Sequence, residues 1–164
     1  MDNSRLIVVC GLQGTGKTTL ARRISEKIQA VLLRTDVIRK ELEISLYSED
    51  AKQMVYNEMF SRARKLLLEN KNVVLDATFI KQINRNQAQQ IAREVNADFR
   101  IIQILTSDEA VKPRIEKRVG DESEARFEQY LDSKYAFETI IGDHITIDNS
   151  GSIENAFSQL DKYI

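Results

Sequence analysis

The segment Gly11-Leu12-Gln13-Gly14-Thr15-Gly16-Lys17-Thr18 constrains this chain more than any other stretch. It reads G-x-x-x-x-G-K-T, and its setting matters as much as its letters. The apolar run Leu6–Cys10 precedes it, and Thr19–Ile24 follows with a helical pattern. A Gly-rich loop between a buried strand and a helix can turn its N–H groups toward an anion, and the helix N-terminus favours negative charge. In that setting the pattern is a P-loop, the cradle of a nucleoside triphosphate. Gly11 through Thr19 (Gly11, Leu12, Gln13, Gly14, Thr15, Gly16, Lys17, Thr18 and Thr19) are expected to contact ATP. Lys17 should reach the β- and γ-phosphates, and the Thr18 hydroxyl should ligate Mg²⁺. A Gly-rich turn that binds nothing would not need Lys and Thr to close it.

The rest of the chain alternates short apolar runs with longer helical stripes. The runs are Leu6–Cys10, Val31–Leu33, Val73–Leu75, Phe99–Leu105 and His144–Ile147. Runs of this kind suit parallel strands buried on both faces. Stripes such as Val55, Met59, Ala63, Leu66 and Leu67, or Ile83, Ala88, Ile91, Ala92 and Val95, mark the helices between them. The expected fold is therefore a three-layer α/β sheet with right-handed crossovers. In such sheets ligands bind beyond the C-terminal strand ends. With 164 residues and no linker, repeat or low-complexity tract, residues 1–164 read as a single domain. Pro113, the only proline, falls in the helical stretch Ser107–Val119, so a helix should break or restart there, with Pro113 in a first turn.

Composition narrows the partners. A net charge of -1 offers no broad basic surface for nucleic acid, although a local basic pocket remains open. Cys10 is the only cysteine and reads as a small buried residue, and no disulfide can form within the chain. His144 is the only histidine, which argues against a His-rich metal site. No apolar run approaches the roughly 20 residues of a membrane span, and the N-terminus lacks signal-peptide architecture. A cytoplasmic location without membrane contact is expected, and no segment points to an obligate protein partner.

The residues just beyond each run carry the remaining chemistry. Asp36 follows the second run in Arg34-Thr35-Asp36-Val37-Ile38-Arg39. It either caps the next helix or, beside a P-loop, orients an acceptor hydroxyl and takes its proton. Arg39, one turn on, is either a solvated side chain or the holder of an anionic group on the acceptor. Asp76 follows the third run and fits a Walker B carboxylate positioning Mg²⁺ together with Thr18; a turn cap is the alternative. Arg85 either reaches the acceptor or the phosphates, or sits exposed on a helix. Arg114 and Arg118 are four apart, hence on one helical face. They read as a lid, about residues 112–126, that closes over the transferring phosphoryl group, or as a salt-bridged surface helix. Arg126 is a weaker candidate for the same lid. The turn Asp148–Gly151 either borders the adenine or only connects strand to helix.

Together the stretches GLQGTGKTT, RTDVIRKEL, VVLDATFIKQINR, RIEKR and EARFEQYLDSKYAFE resemble the stand-alone AAA-type P-loop kinase-like family. That family is similar to the kinase domain of bacteriophage polynucleotide kinase and, more distantly, to gluconate-kinase and zeta-toxin-like kinases. The resemblance implies a P-loop kinase fold, five parallel strands in the order 2-3-1-4-5 with a helical lid. It implies a general-base role for Asp36, acceptor-phosphate contact for Arg39, and nucleotide-phosphate contacts for Arg114 and Arg118. The sequence thus leads to an ATP-dependent kinase that uses Mg²⁺. Its acceptor is a small hydroxyl metabolite or an oligonucleotide 5′-hydroxyl end. The alternative is an ATP-controlled switch or binding module without an acceptor.

Overall fold

Five consecutive apolar residues, Leu6 to Cys10, cannot keep alternate side chains in water, and the fold covers both sides of them. A computed structural model describes residues 2–117 and 123–164. The apolar runs form β1 (Arg5–Cys10), β2 (Ala30–Arg34), β3 (Asn72–Asp76), β4 (Asp98–Leu105) and β5 (Ile145–Asp148). All neighbouring strands are parallel, in the order β2-β3-β1-β4-β5 that the resemblance implies. Between them run α1 (Lys17–Lys27), α2 (Thr35–Glu41), α3 (Glu49–Leu68), α4 (Gln82–Glu94), α5 (Asp108–Glu116), α6 (Ser123–Ala136) and α7 (Ile153–Leu160).

Alternation along β1 sorts the core into two layers. Leu6, Val8 and Cys10 pack with α3 and α4, through Val55, Met59, Ala63, Leu67, Ala88 and Ala92. Ile7 and Val9 pack on the other side with α1 and α7, through Leu20, Ala21, Ile24, Ala156 and Leu160. The α3 stripe recurs every fourth residue from Ala51 to Leu67. Ser48 starts that helix by accepting the Ala51 N–H at 3.2 Å. Cys10 is fully buried, and desolvation pushes its thiol up to about 12. Among the described residues no helix is long and apolar enough to cross a membrane.

Two expectations change. The helix α5 runs through Pro113 instead of breaking there. Ser107 caps its start by accepting the Ala110 N–H at 3.2 Å, which places the proline beyond the first turn. Val111 and Ile115 are buried, and their packing offsets the hydrogen bond the proline cannot make. The last strand begins one residue later than read, leaving His144 exposed before it.

A charged clamp joins the two ends of the α1/α7 layer. Asp161 accepts from Arg23 at 2.8 Å and from Lys27 at 3.1 Å. Those hydrogen bonds hold its carboxyl down at about 2, below the ordinary 3.8. A depressed folded-state value makes the contribution full above about pH 4 and progressively lost as pH falls through about 2. Asp161→Asn should therefore lower Tm at pH 7, and the gap to wild type should close near pH 2. An unchanged gap across that range in thermal melts would rule out the clamp as its source.

Candidate functional site

The P-loop leaves β1 at Gly11 and enters α1 at Lys17. Two contacts make glycine necessary along it. A Cβ on Gly11 would come within 2.8 Å of the Ile104 carbonyl oxygen. Gly16 has a left-handed φ of 82°, and a Cβ there would collide with the Asn149 side-chain amide. Below the loop, Thr15 is buried, and its hydroxyl donates to the Leu12 carbonyl at 2.7 Å. The Thr15 carbonyl accepts from Asn149 Nδ2 at 2.7 Å and from the Thr106 hydroxyl at 3.3 Å. The loop is thus braced by the ends of β4 and β5.

The end of β3 brings a carboxylate under this loop. Asp76 is 3% exposed. Its Oδ2 accepts from the Thr18 hydroxyl at 2.8 Å and from Arg34 Nε at 3.1 Å. Lys17 Nζ lies 3.2 Å from Oδ1 without hydrogen-bond alignment, so Oδ1 is a buried oxygen that has charge nearby but no donor. Asp76 caps neither a helix nor the following turn: α4 starts only at Gln82, and neither carboxylate oxygen accepts from a backbone N–H. The turn after Asp76 is held firmly. Phe79 adopts a left-handed φ of 48°, costly for an aromatic residue, and its N–H donates to the Tyr56 hydroxyl at 3.0 Å. Its ring packs edge-on to Tyr56 at 5.2 Å.

Arg34, just beyond the second apolar run, is the last residue of β2. Register explains its position: parallel pairing sets Arg34 opposite Asp76. Its Nη2 also lies 3.4 Å from the Thr18 hydroxyl and 3.9 Å from Asp36 Oδ2. The available signal was that two neighbouring apolar runs end in Arg and Asp. Asp36 itself is not a cap: α2 starts at Thr35 and Arg34 is its capping position. Its side chain is 81% exposed at the same strand edge as Asp76.

Three other candidates are committed elsewhere. Arg39 Nη1 donates to the Leu46 carbonyl at 2.5 Å, and the guanidinium lies 4.4 Å from the Tyr47 ring centroid. It fastens the segment between α2 and α3. Arg85 corrects the sequence reading. It is fully buried, and its guanidinium donates to the carbonyls of Phe79 and Glu138 and to Gln82 Oε1. It lies 5.0 Å from the Phe137 ring centroid. Burial pushes its pKa down. The missed signal was helical spacing, since Arg85, Ala88 and Ala92 share the buried stripe of α4. Arg114 Nη2 donates to the carbonyls of Asn149 at 2.8 Å and Gly151 at 3.4 Å. Its Nη1 is buried without a partner. Neighbouring Ile115 sits under Gly14, where an added Cβ would meet it at 3.2 Å. The second lid arginine, Arg118, lies outside the described residues.

A cavity of about 250 Å³ opens beside the loop, lined by Leu12, Gln103, Tyr130, Lys134, Phe137 and His144. A larger groove of about 490 Å³ lies by Asp2, Arg5, Lys27 and Asn72, away from the P-loop. The strand-end chemistry, not groove size, locates the candidate site.

Removing the Arg85 guanidinium would strand the buried Phe79 carbonyl and the part-buried Glu138 carbonyl, a buried unsatisfied group costing about 1–3 kcal/mol. Arg85→Ala should therefore lower unfolding free energy by about 3 kcal/mol in urea titration. A loss under about 0.5 kcal/mol would show that the side chain is not a strut.

Comparison with known proteins gives the family and the fold. The model of an AAA-domain family matches residues 6–140. An uncharacterised protein of Mycobacterium tuberculosis (strain H37Rv) is 31% identical over 137 residues, which cover 76% of this chain and 28% of the relative. The chain thus spans under a third of that relative's length. Among solved structures, a gluconokinase from Sinorhizobium meliloti superposes with a TM-score of 0.69 and 17% identity, covering 97% of this chain and 92% of that one. The Mycobacterium tuberculosis APS kinase in complex with AMPPNP and APS superposes with a TM-score of 0.75 and 18% identity, covering 98% of each chain.

Proposed function

This chain belongs to an AAA-domain family and has the P-loop kinase fold, and from that premise we propose that it transfers the γ-phosphoryl group of Mg·ATP to a hydroxyl acceptor. One observation carries the reading. The Arg34 guanidinium lies 3.1 Å from Asp76 and 3.9 Å from Asp36, so the buried carboxylate and the exposed one flank a single spot at the P-loop mouth. A triphosphate-binding switch needs the first carboxylate. A phosphotransferase also needs the second.

The residues fit the implied metal. Asp76 Oδ1 is buried without a donor, and the Thr18 hydroxyl lies against the same carboxylate. Thr18 and Asp76 would hold Mg²⁺, directly or through water. When bound, Mg²⁺ neutralises charge on the β- and γ-phosphate oxygens. Loop N–H groups and Lys17 take the triphosphate, and Lys17 exchanges Asp76 for phosphate oxygens. Asp36 orients the acceptor hydroxyl in line and takes its proton. The acceptor oxygen bonds to the γ-phosphorus, the bond to the β–γ bridging oxygen breaks, and ADP leaves with that electron pair. Arg114 and Arg118 act from the lid side, the unpartnered Nη1 of Arg114 being the group for phosphate. Arg39 serves the acceptor by trading the Leu46 carbonyl for an anionic group. The acceptor is a small metabolite or an oligonucleotide 5′-hydroxyl. The gluconokinase and APS kinase neighbours favour the former.

The test is ADP release across sugars, nucleosides and 5′-hydroxyl oligonucleotides. Turnover should rise well above the rate with water alone for one class, and no acceptor-dependent ADP from any class would sink the proposal. Lys17→Ala should abolish transfer and weaken ATP binding. Asp36→Asn should spare ATP binding and cut transfer by at least about 10²-fold, the scale of a lost general base. Full transfer in Asp36→Asn would remove it from the mechanism. Arg39→Ala should raise the acceptor KM more than it lowers kcat, and an unchanged KM would confine Arg39 to its hold on the Leu46 carbonyl.

A further inference from the structure

We infer that Arg34 is a positioning residue that shuts the metal seat to free divalent cations until a nucleotide arrives, an inference that rests on the Mg·ATP reading of the loop. Among the described residues no group of three or more His, Cys, Asp or Glu is placed to hold a metal ion. The protein's share of the seat is therefore one hydroxyl, Thr18, and one buried carboxylate, Asp76. That carboxylate already has two cations on it. Lys17 lies 3.2 Å from Oδ1, and Arg34 lies 3.1 Å from Oδ2. Asp36 adds a negative charge, but on an exposed side chain, where water screens it. A dication entering without nucleotide would meet two positive charges beside a single buried negative one. At these separations and in partly buried surroundings, that repulsion is not screened away.

A triphosphate changes the balance. It brings several anionic oxygens and draws Lys17 off the carboxylate. Arg34 cannot follow as easily, because it is the last residue of β2 and is paired in register with Asp76. It stays on Oδ2 and leaves Oδ1, the oxygen without a donor, as the open one. The arginine thus does two things with one contact. It fixes which carboxylate oxygen is free, and it ties metal entry to nucleotide entry.

Mn²⁺ is the probe, and its binding is read by electron paramagnetic resonance on wild type, Arg34→Gln and Arg34→Lys. Each is titrated with and without a non-hydrolysable ATP analogue. Arg34→Gln keeps a donor near Asp76 but removes the charge. It should bind free Mn²⁺ at least about tenfold tighter than wild type when no nucleotide is present. Arg34→Lys keeps the charge and should stay within about threefold of wild type. A folded Arg34→Gln that binds free Mn²⁺ no better than wild type overturns the inference, and so does an Arg34→Lys that is relieved as much as Arg34→Gln. If Arg34→Gln does not fold by circular dichroism, thermal melts of wild type decide. Mn²⁺ should raise Tm only together with the analogue, and an equal rise with Mn²⁺ alone overturns the inference. Failure of the analogue to bind wild type under any condition counts instead against the nucleotide reading, and the nucleotide-free comparison still judges Arg34.

Discussion

The buried carboxylate of Asp76 is the interaction on which the rest of the site depends. An ionised group with almost no access to water has to be paired and hydrogen-bonded. Here the pairing comes from three groups. The Lys17 ammonium and the Thr18 hydroxyl arrive from the start of α1, and the Arg34 guanidinium from the end of β2. Removing Thr18 or Arg34 takes a hydrogen-bond donor from a buried carboxylate oxygen. The P-loop helix, the second strand and the third strand therefore meet over one side chain. The distance of Asp36 from the loop follows from the same pairing, since it stands two residues beyond Arg34.

A second set of contacts gives the loop its shape from the opposite side of the sheet. Asn149 holds the Thr15 carbonyl, while its own carbonyl accepts from Arg114. The end of β5 thus links the P-loop to the helix that precedes the lid segment. The turn Asp148–Gly151, which the sequence leaves open between an adenine border and a mere connection, is in this structure a brace. Its Asn149 Oδ1 remains buried without a donor. Arg85 works in the same way on the other layer, tying the start of α4 to the segment after α6 through backbone carbonyls.

Much of this was legible in the chain because it is local. The P-loop spacing, the apolar runs and the carboxylates just past them lie within a few residues of one another, and the resemblance gave the strand order. The extent of α5 was not, because the cost of Pro113 is read from its own position, whereas the compensating burial of Val111 and Ile115 comes from the P-loop side. Arg34 and Asn149 were hidden for a related reason. Their partners lie 42 and 134 positions away, and only sheet register brings them together. Arg85 was misread because a charge on a helix suggests solvent, although its spacing to Ala88 and Ala92 put it on the buried stripe. Local pattern shows where chemistry can occur, and long-range register decides which polar groups are spent on structure.

The bond from Asn149 to the Thr15 carbonyl also bears on the order of folding. It joins residues 134 positions apart, so the loop gains this brace only after β5 has docked on β4. A ribosome that has released β1 through β4 has already delivered every residue of the P-loop motif, but not the amide that holds it. Contacts of such long sequence separation form late, because the chain entropy of closing the loop has to be overcome first. The nucleotide cradle is encoded ahead of β2 and completed only after β5. A nascent chain therefore carries the motif before it carries the site.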